Sequence, residues 1–245
     1  RSALDRSSAA SDVYKRQLWK VYKTKRLKKS ALRGFFWGMK EIDWKELLNL
    51  AIDVLEEANI NTDDWAFGGG TALMFYFHHR KSRDVDIFLK NPQLLTRLSP
   101  RLNEKAEEIS KEYIEQANFI KLKLNSQEID FIVAPNLTGL KPKKVKIDLK
   151  EIYIEQPEEI IAKKLFYRPE SLKIRDIIDT VEVFKNSPNL MNILKKNKLL
   201  NEEVIKKRFE YLKKKEKDLN ISDLQLEKPI NIQEVFDTFE NLLNK

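Results

Sequence analysis

The chain has 245 residues, of which 42% are hydrophobic and 34% charged, with a net charge of +8 at pH 7. It contains no cysteine, which excludes disulfides, thiol catalysis and zinc–thiolate sites and fits a reducing, cytoplasmic setting. No apolar run reaches the length of about 18 residues that a membrane span needs, and the first residues lack the apolar core of a signal peptide. The basic surplus favours a polyanionic partner, nucleic acid first; the alternative source of the charge is lysine spread over every exposed helix face.

In chain order, residues 1–17 are polar, rich in Ser and Ala and without period, and read as a non-native tail. Lys20 to Arg33 is basic, with Trp19, Phe35, Phe36 and Trp37 around it. This is either a solvated helix with an apolar end that docks on the core or an RNA-gripping helix. Asp43 is an expected N-cap, with Glu46 completing a capping box, for a helix carrying Leu47, Leu48, Ala51, Leu55 and Ala58 on one face. Trp65 to Phe67 reads as a short strand running into three glycines, Thr71 to His79 as a buried helix, and Asp84 to Leu89 as a strand.

Leu95, Leu98, Leu102, Ala106, Ile109 and Tyr113 fall at helical spacing, with a break expected at Pro100. Phe119 to Leu124 and Gln127 to Ala134 flank an Asn125-Ser126 turn as a hairpin. Val145 to Leu149 and Ile152 to Ile154 supply one further strand or two. After Gln156 only helices follow: 158–167, 172–184, 190–199, 202–217 and 232–243. The expected division is therefore an α/β core over 18–156 and a helical domain over 157–245.

The chemistry concentrates in Gly68-Gly69-Gly70-Thr71 and Asp84-Val85-Asp86. Two Asp residues two apart on a strand share a face. Their repulsion is relieved by a hard divalent cation, which takes carboxylate and phosphate oxygens together. Glycines let backbone approach a ligand, and the helix that Thr71 opens presents its anion-binding end. Asp130, mid-strand among apolar neighbours, is the expected third carboxylate, because a buried carboxylate needs a partner or a metal. Glu128 is expected to face solvent, and Asp148 is a weaker alternative. His78 and His79 point apart on a helix; one is expected to pack, and the other, with Arg80, to face phosphate. Glu158, Lys164, Arg168, Arg175 and Asp176, read from physics alone, are helix-surface ion pairs worth little.

The order of these motifs resembles the AbiEii/AbiGii-type nucleotidyltransferase toxins within the DNA polymerase β-like superfamily. The segments that carry the resemblance are Gly69-Gly70-Thr71-Ala72-Leu73, the run from His79 to Phe88, Glu159 to Leu165, and Arg175 to Asp179. The resemblance implies an α+β fold, with a polymerase β-like core whose mixed sheet is flanked by helices and a helical C-terminal domain after it. It implies transfer of a nucleoside monophosphate from an NTP to an acceptor hydroxyl, with RNA, specifically a tRNA 3′ end, as the acceptor. It implies a cognate antitoxin and two Mg2+ ions. Gly69, Gly70, Thr71, Arg80, Ser82, Lys164 and Arg168 would hold nucleotide. Asp84, Asp86 and Asp130 would hold metal, with Asp130 acting on the acceptor hydroxyl, and Asp176 would orient Lys164 or touch the nucleotide. The alternatives are transfer to a protein side chain and an RNA-binding protein that keeps the fold without the activity.

Overall fold

The computed structural model describes residues 42–215 and 224–244. The tail at 1–17, the basic stretch at 20–33 with its aromatic neighbours, and the end of the expected helix at 202–217 lie outside the described residues.

Asp43 caps the first helix, α1 (Trp44–Glu57), by accepting the Lys45 N–H at 2.8 Å. Leu47, Leu48, Ala51 and Leu55 are buried as their spacing predicts. The helix stops at Glu57 because Ala58 caps it and Asn59 turns into the left-handed region at φ 50. Strand β1 (Trp65–Gly68) is buried throughout and leads directly into α2 (Gly69–Phe77). The helix starts two residues before the expected Thr71, because glycine permits the turn.

Strand β2 (Val85–Leu89) alternates as its sequence does: Val85, Ile87 and Leu89 are buried, while Asp86 and Phe88 are half-buried on the other face. Asp84 stands just before the strand. The expected long helical face over 95–113 does not form. A 3-10 segment (Pro92–Leu98) ends at Ser99, where Pro100 interrupts the pattern. Asn103 then caps the short α3 (Glu104–Ile109) through the Ala106 N–H at 2.9 Å. Tyr113 lies on β3 (Glu112–Gln116), an edge strand missing from the sequence reading.

The hairpin β4 (Phe119–Leu124) and β5 (Gln127–Val133) forms as expected. The lysine-rich segment after it is two strands, β6 (Lys143–Ile147) and β7 (Lys150–Ile154), joined through Asp148 at φ 52. Together the seven strands make one mixed sheet in the order β3-β4-β5-β2-β1-β7-β6. Its centre has β2 parallel to β5 and β1 parallel to β7, with β1 and β2 antiparallel. The helices α4 (Pro157–Tyr167), α5 (Ile174–Asn186), α6 (Leu190–Lys196), α7 (Glu202–Lys214) and α8 (Ile232–Leu243) follow the sheet.

The α+β class, the mixed sheet and the C-terminal helices agree with the sequence. α4 and α5 pack together and against α2, so they reach the end of the sheet that carries the glycine turn. On the far side, Phe209 of α7 meets Phe236 and Phe239 of α8 at 5.5 and 5.0 Å between ring centroids. Truncating such a buried phenylalanine costs about 3–5 kcal/mol.

Candidate active site

Three elements converge at the start of α2. Gly69 has φ +69, a region that favours glycine, and a β-carbon there would overlap the Asp86 carboxylate. Gly70 is nearly as confined: a β-carbon there would stand 2.9 Å from the Arg80 guanidinium and 3.0 Å from the Ser82 hydroxyl. The turn therefore presses bare backbone against the site. Thr71 is fully buried, and its hydroxyl donates to the Asp84 carbonyl, with the Ser82 hydroxyl 3.0 Å away. The Thr71 side chain thus ties the helix start to the strand entry and does not face the cleft.

Sheet register brings the carboxylates together. Gly68 pairs with Asp86 across β1 and β2, and Asp86 pairs with Asp130 across the parallel β2 and β5. Asp84, Asp86 and Asp130 all line one cleft of about 540 Å³, together with Gly69, Gly70 and Lys121. Asp84 accepts the Glu128 backbone N–H at 3.0 Å. Lys121 on β4 donates to Asp130 at 2.8 Å and also pairs with Glu128. Glu128 therefore belongs to the cleft wall, where the sequence reading had placed it in solvent.

Burial raises the pKa of all three aspartates; the neighbouring charge of Glu128 adds to the shift of Asp84, that of Asp84 to the shift of Asp86, and that of Asp86 to the shift of Asp130. Asp130 is pushed up to about 6 by burial and the charge of Asp86, with Lys121 opposing. Its Oδ1 is buried with no hydrogen-bond partner. Among the described residues, no group of three Asp, Glu or His side chains is arranged to hold an ion as it stands. In donor type and charge, however, Asp84, Asp86 and the unsatisfied Asp130 oxygen fit a hard divalent cation.

Beside the carboxylates lies a buried ion network, in place of the surface pairs that physics alone suggested. Lys164 Nζ donates to Asp176 at 3.0 Å and to Asp179 at 2.6 Å. Arg168 reaches Asp176 at 2.7 Å. Arg80 grips Asp179 with two N–H groups, both at 2.7 Å, and His79 Nε2 lies 2.7 Å from the same carboxylate. Both Asp176 and Asp179 are wholly buried, and Lys164 is 8% exposed. Burial works against the two charges, but Lys164 with Arg168 holds Asp176 below the usual carboxylate range. Lys164 with Arg80 holds Asp179 well below it.

Arg80, Ser82, Lys164 and Arg168 line the cleft, as expected of nucleotide-facing groups, although Arg80 commits its N–H groups to Asp179 and the Lys81 carbonyl. Asp176 sits behind Lys164 and does not face the cleft. His78, the left-handed C-cap of α2, and the buried His79 both stand outside the cleft, so the expectation of a phosphate-facing histidine fails. Asp148 is at the β6–β7 turn, paired with Lys45 at 3.5 Å, away from the other carboxylates.

Sequence reasoning gave no role to three participants. Asp179 is the centre of the ion network, and its signal was its place one turn after Asp176 on an otherwise apolar helix face. Lys163 is buried against the Phe88 ring at 3.9 Å, lines the cleft, and pairs with Glu155. Glu155 is pushed up to about 7 by burial, with Lys163 opposing, and one of its oxygens has no partner.

The profile of the nucleotidyl transferase AbiEii toxin family, part of the type IV toxin–antitoxin systems, matches residues 53–244. The chain belongs to this family and is a nucleotidyltransferase. No curated protein matches its sequence significantly. Among solved structures it is similar to ANT(2″)-Ia in complex with adenylyl-2″-tobramycin, at 14% identity over 63% of this chain and 96% of that one, with a TM-score of 0.46. JHP933 from Helicobacter pylori shares 15% identity over 82% of this chain and 89% of that one, TM-score 0.46. MenT4, a nucleotidyltransferase toxin from Mycobacterium tuberculosis, shares 14% over 87% and 88%, TM-score 0.44.

Proposed function

We propose that the cleft transfers a nucleoside monophosphate from an NTP to the 3′ hydroxyl of an RNA, with a tRNA as the acceptor. The observation that carries this reading is the register that sets Asp86 beside Asp130, against the bare backbone of Gly69. In this reading the triphosphate lies on the Gly69-Gly70 turn at the anion-binding start of α2. Lys164 and Arg168 face its β and γ phosphates.

The network of Lys164, Arg168 and Arg80 against Asp176 and Asp179 has three cations to two carboxylates, which leaves a positive surplus for phosphate. Asp84, Asp86 and Asp130 would hold divalent metal, magnesium as two ions. Metal there would neutralise triphosphate charge and make the attacking hydroxyl more acidic.

Asp130, pushed up to about 6 by burial and the charge of Asp86, is suited to accept the proton of the acceptor hydroxyl. The acceptor oxygen forms a bond to the α-phosphorus as the bond to the bridging oxygen breaks, and pyrophosphate leaves toward Lys164 and Arg168. Asp176 and Asp179 keep the Lys164 ammonium charged and aimed. The sheet, within 18–156, supplies the carboxylates, and the helices of 157–245 supply the cations, which we read as a core and a helical domain sharing one cleft. RNA as acceptor is supported by the net charge of +8, and in this reading the protein works in the cytoplasm beside a cognate antitoxin.

The test is incubation with magnesium, each of the four α-labelled NTPs and total tRNA, beside an Asp84→Ala/Asp86→Ala control. Label on RNA that vanishes in the control is expected. Label on protein alone would replace RNA with a side-chain acceptor. Label nowhere would leave the fold as a binding module.

A further inference from the structure

We infer that Phe166 and Tyr167 form a stacking platform that receives the last bases of a single-stranded RNA on its way into the cleft. The inference rests on the RNA reading above and names where the acceptor strand lies. The two residues close α4 and are 45% and 51% exposed, side by side. Their rings meet edge to face, with centroids 5.1 Å apart. Two adjacent large aromatics in solvent are costly unless something covers them, and no other described residue makes a ring contact with them.

Their placement says what the cover is. Tyr167 lines the catalytic cleft. Phe166 lines a second hollow, of about 510 Å³, that runs over Pro169 and Lys198 to Leu200. The touching rings therefore contribute one to the wall of the reaction cleft and one to the wall of the outer hollow, and a ligand continuous between the two is placed across both. Cations flank this path. Lys173 and Arg175 line the cleft side and Lys198 the outer hollow, and none of the three makes an ion pair among the described residues. The one carboxylate in the outer hollow, Glu202, is already answered by Lys195 at 3.5 Å.

Exposed π-faces between unpaired cations suit a strand that offers bases to stack and phosphates to neutralise, whatever its sequence. A duplex keeps its bases stacked on one another and offers only its terminal pair, whereas unpaired 3′ nucleotides can lay successive bases on the two rings. The nucleotide carrying the reacting hydroxyl would sit beyond Tyr167 at Asp130, and the bases before it on Tyr167 and Phe166.

The experiment uses the full chain with Phe166→Leu/Tyr167→Leu, which keeps apolar bulk and removes the π-faces, and Phe166→Trp/Tyr167→Phe, which restores them. With a single-stranded RNA oligonucleotide as acceptor, the leucine pair should raise KM for RNA roughly tenfold and leave KM for NTP unchanged, and the aromatic pair should restore it. Equal KM values for RNA in all three proteins would overturn the inference, as would parallel changes in KM for RNA and for NTP. Direct binding of the fluorescent oligonucleotide by anisotropy separates the two claims. If RNA is never labelled but binds, and binding weakens only in the leucine pair, the platform stands and the RNA-acceptor reading falls. If RNA is labelled and the variants bind it alike, the reverse holds.

Discussion

Gly69 and Asp86 occupy one another's space: the backbone of the glycine turn lies where a β-carbon would collide with the carboxylate. The pair ties the start of α2 to β2 at the point where a phosphate-binding turn and a cation-binding carboxylate must be neighbours. Gly69→Ala introduces both the collision and a left-handed backbone on a residue that avoids it, a strain of about 1–3 kcal/mol. Turnover should fall by at least about a hundredfold, with a loss of roughly 3–10 °C in Tm. A variant that melts lower yet turns over normally would place the triphosphate elsewhere.

Asp86→Asn should abolish turnover without lowering Tm. The carboxylate is half-buried, raised in pKa by burial and by Asp84, and so contributes nothing to stability that an amide would lose. Differential scanning calorimetry beside the labelling assay decides it; full activity in a well-folded variant would misplace the site.

Asp179→Asn is expected to behave in the opposite way. It leaves Arg80, Lys164 and His79 around a neutral amide in a dry environment, and breaking such a network costs about 3–5 kcal/mol. Urea unfolding should show that loss in the midpoint at unchanged slope, along with impaired turnover. A change under about 1 kcal/mol would mean that water already reaches this cluster.

The pH dependence of stability has a definite sign. Asp130, at about 6, and Glu155, at about 7, hold protons in the folded state that ordinary carboxyls in the unfolded chain have released. The folded protein binds the extra protons, so stability falls as pH rises from about 4 to about 7. Asp176 and Asp179, held low, act in reverse: their stabilisation is complete above about pH 4 and is lost below it. Tm should therefore peak near pH 4–5 in metal-free buffer. Glu155→Gln should flatten the decline between about pH 4 and 7. Magnesium should raise Tm more at pH 8 than at pH 5, because protons and metal compete for the same oxygens. A uniform rise, or none, would argue against metal on Asp84, Asp86 and Asp130.

Asp148→Ala serves as the control, changing turnover by less than about twofold, since its one ion-pair partner among the described residues is the exposed Lys45.

The glycine turn, the Asp84–Asp86 pair and Asp130 were legible because each is announced locally, by a turn residue or by a carboxylate in an alternating strand. Lys164 and Arg168 were placed by resemblance, since their spacing alone reads as ordinary helix surface. Asp179 stands at the end of the Arg175 to Asp179 motif, but its role was illegible for a physical reason: its partners His79 and Arg80 lie 100 and 99 positions away, and no local pattern encodes such a contact. Tyr113 was misassigned because its helical spacing from Ile109 coincides with a chain that Ser110 redirects by donating to the Glu112 and Lys123 carbonyls, both at 2.6 Å.

The dependence of Arg80 and Lys164 on Asp179 has a consequence for the order in which the cleft is assembled. During synthesis the ribosome delivers Asp86 well before Asp130, and both before Asp179, on which Arg80 and Lys164 depend. A nascent or truncated chain that ends before α5 carries the glycine turn and all three cleft aspartates but has its cations unanchored. The cleft with its cations anchored therefore exists only once the helical half has been made.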